Sequence, residues 1–413
     1  EVGDIVICGN HNSNNLGTLY PGTGALDRAN SNNGNDVLVF KILQDLSGLV
    51  WMKNYGGSSA DQATIMSQNV VSGDIFIGGY TSSNNFPTLN ARQSTIGGTQ
   101  SGFLQKLNSS GTTVWSSYFQ SANTKSTSIL CMEFNVNKDE LYFGGITSGL
   151  AASNISANSV YDNQYNNGTN DFYVCRMDID QNFLAATYLG GSANEVNMMG
   201  LNVDLNNDVY IFGYTNSTNF PTSTAPSVPL QTTNNGSNDK TFSKLSSDLS
   251  TLMFSTYFGG SGDDYDPVGE RGIKFSNCRI YTIVTSESNN LPLTQGALNT
   301  TRSSSNVYEP GLVVWANPPD LLGNSITGNQ TVCAGTVPGD ITGSVPAYVL
   351  PTIVRNTTTS TYPALGAATT YQWQISTDST NWTNIPNATS QNLAGADIGQ
   401  LFTKTYFRRI IGG

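Results

Sequence analysis

Residues 254–261 read Phe-Ser-Thr-Tyr-Phe-Gly-Gly-Ser, and similar runs occur earlier in the chain. Residues 51–58 read Trp-Met-Lys-Asn-Tyr-Gly-Gly-Ser, residues 115–119 read Trp-Ser-Ser-Tyr-Phe, and residues 186–192 read Ala-Thr-Tyr-Leu-Gly-Gly-Ser. Aromatic and β-branched residues followed by a glycine pair are typical of a strand that ends in a tight corner. The run returns about every 67 residues, so the sequence predicts a repeat protein.

Two more kinds of strand accompany each of these runs. An apolar strand that ends in a basic residue precedes the run, at residues 36–41, 102–107, 171–176 and 240–245. A hairpin into a small-residue turn follows it, at residues 75–81, 141–147, 209–215 and, in weaker form, 280–285. About four short strands in each period, with no helical periodicity between them, predict the four-stranded blades of a β-propeller.

A proline motif recurs after the hairpins. Asn-Phe-Pro-Thr occurs at residues 85–88 and 219–222, and residues 291–293 form a degenerate copy, Leu-Pro-Leu. Proline cannot donate a hydrogen bond to a β-ladder, so we expect it past the strand, where the chain leaves one sheet for the next.

The two ends of the repeat region carry complementary halves of one unit. Residues 4–10 resemble a unit-ending strand, and residues 311–316 resemble a unit-opening strand. Radial folds avoid exposed sheet edges by pairing an early strand with a late one. We therefore expect Ile5–Ile7 to share a sheet with Leu312–Val314 and to close a ring of about five blades.

A different pattern begins after residue 320. Residues 371–376, Tyr-Gln-Trp-Gln-Ile-Ser, alternate as a half-buried strand, and further strands are expected at residues 382–385 and 405–411. Short strands separated by polar turns predict a small β-sandwich. The sequence thus predicts an all-β chain with a β-propeller at residues 1–320 and a β-sandwich module at residues 324–413.

Both parts resemble known families. Residues 1–316 resemble the bacterial seven-bladed-type β-propeller repeat, whose units read roughly Asp-x-Phe-Val-x-Lys-Leu, Trp-Ser-Thr-Tyr-x-Gly-Gly-Ser and Gly-Tyr-Thr-x-Ser-x-x-Phe-Pro-Thr. Residues 326–335, 371–374 and 405–409 resemble the immunoglobulin-like repeats of Bacteroidetes surface adhesins. The resemblance implies an extracellular, outer-membrane-associated adhesin, exported by the type IX system and linked to gliding motility. Its implied partners are a surface glycan or protein and further modules of the same chain.

Composition excludes several classes of function. Charged residues make up 11% of the chain and the formal net charge is −11, which opposes binding to nucleic acid and to anionic lipid. The sequence contains no run of roughly 18 apolar residues, which is the length that a helix needs to span a bilayer. The five cysteines lie far apart without a Cys-x-x-Cys pair, so we expect small buried hydrophobic residues instead of a zinc site.

Catalytic groups are scarce. The single histidine, His11, lies in a polar stretch that we expect to be a surface loop, so no serine or cysteine triad can be assembled. The densest carboxylate cluster, Asp263, Asp264 and Asp266, is the candidate contact for a ligand or cation. We expect no enzyme activity, no resident metal and no cofactor. The alternative is a carbohydrate-binding or carbohydrate-active propeller, a lectin or glycosidase, with its ligand at one mouth of the central channel.

Three polar stretches imitate functional motifs. Residues 204–208 and 135–139 look like calcium loops but lack the downstream glycine and glutamate, so we expect hairpin turns. Residues 376–382 are also expected to form a hairpin. Within that hairpin Asp378-Ser379-Thr380 resembles the acceptor for Bacteroidetes O-glycans, which makes Ser379 a candidate for glycosylation.

Overall fold

The computed structural model describes residues 3–12, 34–154, 160–204, 206–224, 227, 229–265, 273–276, 279–292, 308–316, 326–343, 347–348, 352–354, 365–367 and 370–412. In these ranges the regular secondary structure is almost wholly antiparallel β-strand, as the sequence predicts. One short 3₁₀ turn spans Ala152–Asn154, and one short helix, α1, spans Gly395–Ile398. No helix within the described ranges is long and apolar enough to cross a membrane.

The repeat region folds into five antiparallel sheets that follow one another along the chain. Sheet 1 contains β1 (Ile5–His11), β2 (Asp36–Ile42) and β3 (Leu49–Tyr55). Sheet 2 contains β4 (Asp61–Gln68), β5 (Ile75–Thr81), β6 (Ser101–Leu107) and β7 (Thr113–Phe119). Sheet 3 contains β8 (Thr127–Asn135), β9 (Glu140–Thr147), β10 (Asp171–Asp178) and β11 (Phe183–Leu189). Sheet 4 contains β12 (Glu195–Val203), β13 (Val209–Thr215), β14 (Asp239–Leu245) and β15 (Leu252–Phe258). Sheet 5 contains β16 (Ile273–Ser276), β17 (Arg279–Ser286) and β18 (Glu309–Ala316).

The passage from one sheet to the next lies at the Gly-Gly-Ser corner and not at the proline motif. The aromatic run forms the last strand of a sheet, and the hairpin that follows it opens the next sheet. Pro87 therefore lies in the connection between β5 and β6, inside sheet 2, so the prediction for the proline was wrong. The connection is fixed by Phe86, which is buried and whose N–H donates to the hydroxyl of Tyr118 at 2.9 Å.

The predicted closure of a ring by the two ends of the repeat region was also wrong. In β1, Cys8 pairs with Val39 of β2, whereas β18 pairs with β17. The two strands lie in different sheets, and no closed ring forms among the described residues. Each strand finds its partner in a neighbouring hairpin, and such short-range pairing costs less loop-closure entropy than joining the distant ends.

Aromatic side chains fill the spaces between successive sheets. Phe119 of sheet 2 stacks on Tyr173 of sheet 3 with ring centroids 5.5 Å apart. Phe242 of sheet 4 stacks on Trp315 of sheet 5 at 4.3 Å. All four rings are essentially buried. Because each ring removes a large apolar area from water, these contacts hold the sheets together.

The remainder of the chain forms smaller sheets. Its strands are β19 (Ile326–Thr327), β20 (Thr342–Gly343), β21 (Ala347–Tyr348), β22 (Thr352–Val354), β23 (Leu365–Ala367), β24 (Thr370–Ser376), β25 (Thr383–Asn384) and β26 (Tyr406–Gly412). β24 lies between β25 and β26, and β22 pairs with β18 at the free edge of sheet 5. Trp373 is the centre of a core shared with Ile341, Ile385 and Leu393. The immunoglobulin-like arrangement of this region stays a prediction.

The predicted turns and cysteine environments can be compared with the structure. Asp139 and Asn207 adopt left-handed φ angles of 52° and 68° in hairpin turns, as predicted. Cys131 and Cys175 are buried, Cys8 is partly buried and Cys333 is exposed, and these four are free thiols. Cys278 lies outside the described residues. The expectation of buried cysteines is therefore confirmed for Cys131 and Cys175 and wrong for Cys333.

Candidate functional site

A cavity of about 610 Å³ lies where sheets 1 to 4 of the repeat region approach one another. Its lining comprises Asn10, Gln62, Ala63, Thr64, Tyr80, Gln100, Ser128, Leu130, Ile146, Val196, Asn197, Tyr214 and Tyr265. Concave sites that combine an apolar wall with a few polar groups are the usual binding sites of proteins. This cavity is therefore the candidate ligand site of the repeat region.

The repeat itself positions the lining. The first strands of sheets 2, 3 and 4, which are β4, β8 and β12, are called the inner strands. The second residue of each inner strand contributes a side chain to the lining, and so does the next-to-last residue of the strand paired with it. In β4 and β5 these residues are Gln62 and Tyr80. In β12 and β13 they are Val196 and Tyr214. Because strands fix the direction of their side chains, residues at equivalent repeat positions face the same space.

Hydrogen bonds hold several polar lining groups in place. The hydroxyl of Tyr80 donates to Oε1 of Gln62 at 2.7 Å. The Gln100 amide donates to the hydroxyl of Ser128 at 2.8 Å. The amide of Asn10 bonds to both backbone groups of Ala63, at 2.8 and 2.9 Å, and so joins sheet 1 to sheet 2. The polar part of the wall is thus organised before any ligand enters.

The rest of the wall is apolar and aromatic. Leu130, Ile146 and Val196 supply aliphatic surface, and Tyr214 meets Tyr265 edge to face with centroids 5.2 Å apart. Among the described lining residues there is no acidic, basic or histidine side chain. The cavity therefore offers amides, hydroxyls, phenols and apolar surface, and no charge.

Buried carboxylates stand directly behind this wall, at the corners where one sheet passes to the next. Asp264 accepts hydrogen bonds from the hydroxyls of Ser286 and Ser288 and from the N–H of Gly260. Asp61 and Glu195 occupy the equivalent position at the starts of β4 and β12 and accept equivalent bonds. These carboxylates tie each inner strand to its neighbour.

A second carboxylate lies beside each of these three. Asp36, Asp171 and Asp239, from the next-to-last strand of the preceding sheet, are fully buried against the same corners. Burial, followed by the charge of Glu195, raises the pKa of Asp171 to about 8. Burial likewise raises the pKa of Asp239 to about 6, with the charge of Asp264 adding to it.

The structure describes two of the three predicted site residues and places them in different environments. Asp264 is only 1% exposed and its oxygens are bonded within the corner. Asp263 is partly exposed and accepts from the amide of Asn238 at 2.9 Å and the hydroxyl of Tyr308 at 3.3 Å. Neither lines the cavity, and Asp266 lies outside the described residues. A ligand contact by Asp263 stays a prediction.

Two further candidates are located by the structure. His11 is the last residue of β1, with Nε2 2.6 Å from Oδ1 of Asn54, so its assignment to a loop was wrong. Ser379 is exposed in the hairpin between β24 and β25, with a left-handed φ of 60°. The hairpin prediction for residues 376–382 is confirmed, and glycosylation of Ser379 stays a prediction.

Sequence reasoning missed the cavity residues themselves. Gln62, Val196 and Tyr265 share one signal, since each directly follows an acidic residue at the corner between two sheets. Aligning the repeats on that acid would have found them. Asn197 and Gln100 carry no comparable signal, because their place in the wall depends on how the sheets approach.

A second cavity, of about 840 Å³, lies on the 326–412 region. Ile326, Trp382, Leu401 and Phe407 contribute to its lining, as does Phe402, which is 70% exposed. Loops and a two-residue strand form much of its wall. The first cavity is framed by long paired strands, which hold side chains more firmly than loops do.

Family comparisons match two parts of the chain. Residues 186–221 match a beta-propeller repeat, and residues 322–412 match a domain of unknown function (DUF8696). The propeller-repeat match runs from β11 through the corner of Glu195 to the connection after β13. No match to a curated protein was found.

Proposed function

We propose that the chain is a non-enzymatic binding segment of a bacterial surface adhesin, arranged as a β-propeller array, and that its cavity holds a neutral glycan. The observation that carries this proposal is the uncharged cavity to which four of the repeated sheets contribute. Sugar hydroxyls pair with amides and hydroxyls, and the apolar face of a sugar ring packs on aromatic rings. Amides and tyrosines supply both kinds of contact here.

The charge pattern favours a neutral ligand. The described lining supplies no cation to an acidic glycan, a phosphate or a nucleic acid. The net charge of −11 adds long-range repulsion of anions. A neutral oligosaccharide avoids both costs.

The arrangement of carboxylates favours binding over hydrolysis. Glycosidases flank the scissile bond with two carboxyl groups that reach the substrate. The carboxylates nearest this cavity, such as Asp264 and Glu195, are buried behind its wall and bonded to hydroxyls. A glycosidase remains the competing reading, with Asp263 as the residue to test.

Location on the cell surface is part of the same proposal. The match to a beta-propeller repeat and the scarcity of charged residues support an extracellular repeat protein. Export by the type IX system, a role in gliding motility, an immunoglobulin-like second module and a glycan at Ser379 extend the proposal and rest on the family resemblance.

A glycan array tests the binding function. We expect the protein to retain neutral oligosaccharides, and Gln62→Ala and Asn197→Ala to weaken binding by roughly tenfold or more, because lost hydrogen bonds in a site cost about 1–2 kcal/mol each. Gln44→Ala, an exposed glutamine outside the cavity, is the matched control and should bind normally.

Three results would contradict the proposal. One is an array on which no neutral glycan binds. Another is binding that survives both cavity substitutions. The third is hydrolysis of the bound sugar that disappears in Asp263→Asn, which would favour the glycosidase.

A further inference from the structure

The corner between sheets 3 and 4 contains two carboxyl groups without an evident counter-charge. Asp171 and Glu195 are both 0% exposed. Oδ2 of Asp171 accepts from the N–H of Asn166 at 2.7 Å. Oε1 of Glu195 accepts from the hydroxyls of Thr215 and Ser217, each at 2.7 Å. One oxygen of each group is thus satisfied.

The other two oxygens converge. The N–H of Gly191 acts on Glu195, and beyond it no donor among the described residues reaches Oδ1 of Asp171 or Oε2 of Glu195. Both lie against Gly190, at 2.8 and 2.7 Å from the point where a Cβ on that glycine would stand. Two ionised carboxylates in this position would be buried, unpaired and mutually repulsive, which is a costly arrangement. One proton between them removes a charge and converts one oxygen into a donor for the other.

The surrounding groups do not relieve the charge. The titratable groups that act on this pair from the packed elements are Asp162, Tyr165, Tyr188 of β11 and Tyr257 of β15, and all four are acids. The ammonium group of Lys125 stands 5.6 Å from the ring of Tyr165, so it is directed to that phenol.

We propose that Asp171 and Glu195 share one proton at neutral pH, in a carboxyl–carboxylate hydrogen bond that joins sheet 3 to sheet 4. At the corner between sheets 4 and 5, Oδ1 of Asp239 also has no described donor and lies with Oδ2 of Asp264 against Gly259. The positive charge of Lys240 acts on Asp264 at that corner, so the proposal does not extend to it.

The corner between sheets 2 and 3 is a natural comparison. Ser101 and Thr127 stand where the other corners have acids, and Thr127 bonds to the hydroxyl of Thr147 at 2.8 Å. The corner therefore forms with neutral hydroxyl groups. The pair of Asp171 and Glu195 adds a bound proton to a position that does not require one, and so makes the junction of sheets 3 and 4 sensitive to pH.

The sign of the pH effect follows from linkage. Burial and the neighbouring charge raise the pKa of Asp171 from 3.8 to about 8. In the unfolded chain this carboxyl loses its proton near its ordinary pKa, while the folded protein keeps the proton. The folding equilibrium constant should therefore be largest in acid and fall about tenfold per pH unit for each shared proton, until the folded group ionises.

Urea unfolding of the whole chain between pH 5 and 9 tests the proposal. We expect the ratio of the wild-type folding constant to that of Asp171→Asn to fall by roughly tenfold per pH unit up to about pH 8. The asparagine amide can donate to Glu195 but does not titrate. Asp162→Asn, which removes a neighbouring carboxylate outside the pair, is the control and should retain the wild-type slope.

Infrared spectroscopy gives a second readout that does not require a variant to fold. The wild-type protein should show the carbonyl band of a protonated carboxylic acid at pH 7, and the band should disappear on alkaline titration. Glu195→Gln should reduce this band as Asp171→Asn does. A wild-type spectrum without the band, or equal pH slopes for wild type and Asp171→Asn, would overturn the proposal whether or not the cavity binds a glycan.

Discussion

At the scale of single residues, the glycine pairs occupy two kinds of position, the corners between sheets and the interiors of strands. The sequence predicts them at corners where a Cβ would clash. Gly190 fits that prediction, since its Cβ would press on Asp171 and Glu195. Gly145 lies inside β9, where a Cβ would overlap the carbonyl oxygen of Ser128 on the inner strand β8. Carboxyl side chains exclude a Cβ at Gly190, and the backbone of the neighbouring strand excludes one at Gly145.

Two equivalent glycines give a matched test. Gly9 of β1 occupies the repeat position of Gly145, but a Cβ there meets nothing within 4 Å. We expect Gly145→Ala to destabilise the fold by about 1–3 kcal/mol, as overpacking does, and Gly9→Ala to change it by less than about 0.5 kcal/mol. Urea unfolding measures both. An equal loss of unfolding free energy in the two variants would contradict this account, because glycine would then be needed for a reason other than the close approach of the inner strand.

The candidate site shows what single residues can reveal from sequence. The cluster of Asp263, Asp264 and Asp266 was chosen for its density of charge. Burial decides the role of Asp264, and burial depends on the hydroxyls of Ser286 and Ser288, which lie more than twenty residues away. No local pattern contains that information.

At the scale of strands, the basic residue near the end of the next-to-last strand in each of sheets 1 to 4 has a structural partner. Lys244 of β14 lies 3.4 Å from Asp204 and 3.0 Å from Asp208, at the hairpin between β12 and β13. Lys41, Lys106 and Arg176 make equivalent ion pairs in sheets 1, 2 and 3. The sequence predicted the basic residue as a mark of the repeat, and the pairing gives its physical reason.

The contribution of each ion pair to stability should increase with its burial. The side chain of Lys244 is 1% exposed and faces two carboxylates, whereas Lys106 is 11% exposed and faces only Asp74. Lys244→Ala leaves two carboxylates uncompensated and should cost about 3–5 kcal/mol.

Lys106→Ala is the comparison variant. It should cost less, nearer about 1 kcal/mol, because its partner is more hydrated. Thermal or urea unfolding of the two variants checks the order. A greater loss in Lys106→Ala would contradict it.

The sequence predicted which residues form strands better than it predicted which strands share a sheet. Short runs rich in aromatic and β-branched residues identify the strands because side-chain alternation is local. The boundary between sheets was placed at the proline motif, although Pro87 lies inside sheet 2. A proline is compatible with any loop, so it cannot distinguish a connection within a sheet from one between sheets.

At the scale of the whole molecule, the number of sheets followed from the repeat, while their closure did not. Nearest-neighbour pairing of β1 with β2 and of β18 with β17 satisfies each hairpin without joining the ends. The likeness of the two end strands to the two halves of one unit could not reveal this. The same two kinds of strand pair in each sheet, as β5 with β6, β9 with β10 and β13 with β14, so the pattern does not say which copies pair. The cavity depends on the same long-range placement.

The central claim is that the inner strands of successive sheets build one ligand-binding cavity. Hydrogen–deuterium exchange of the whole chain, with and without a neutral oligosaccharide selected on the array, tests it most directly. We predict slower exchange in residues 61–68, 127–135 and 195–203, which carry lining residues on three different sheets. Protection confined to residues 326–412, or no change in exchange at a saturating sugar concentration, would contradict the claim.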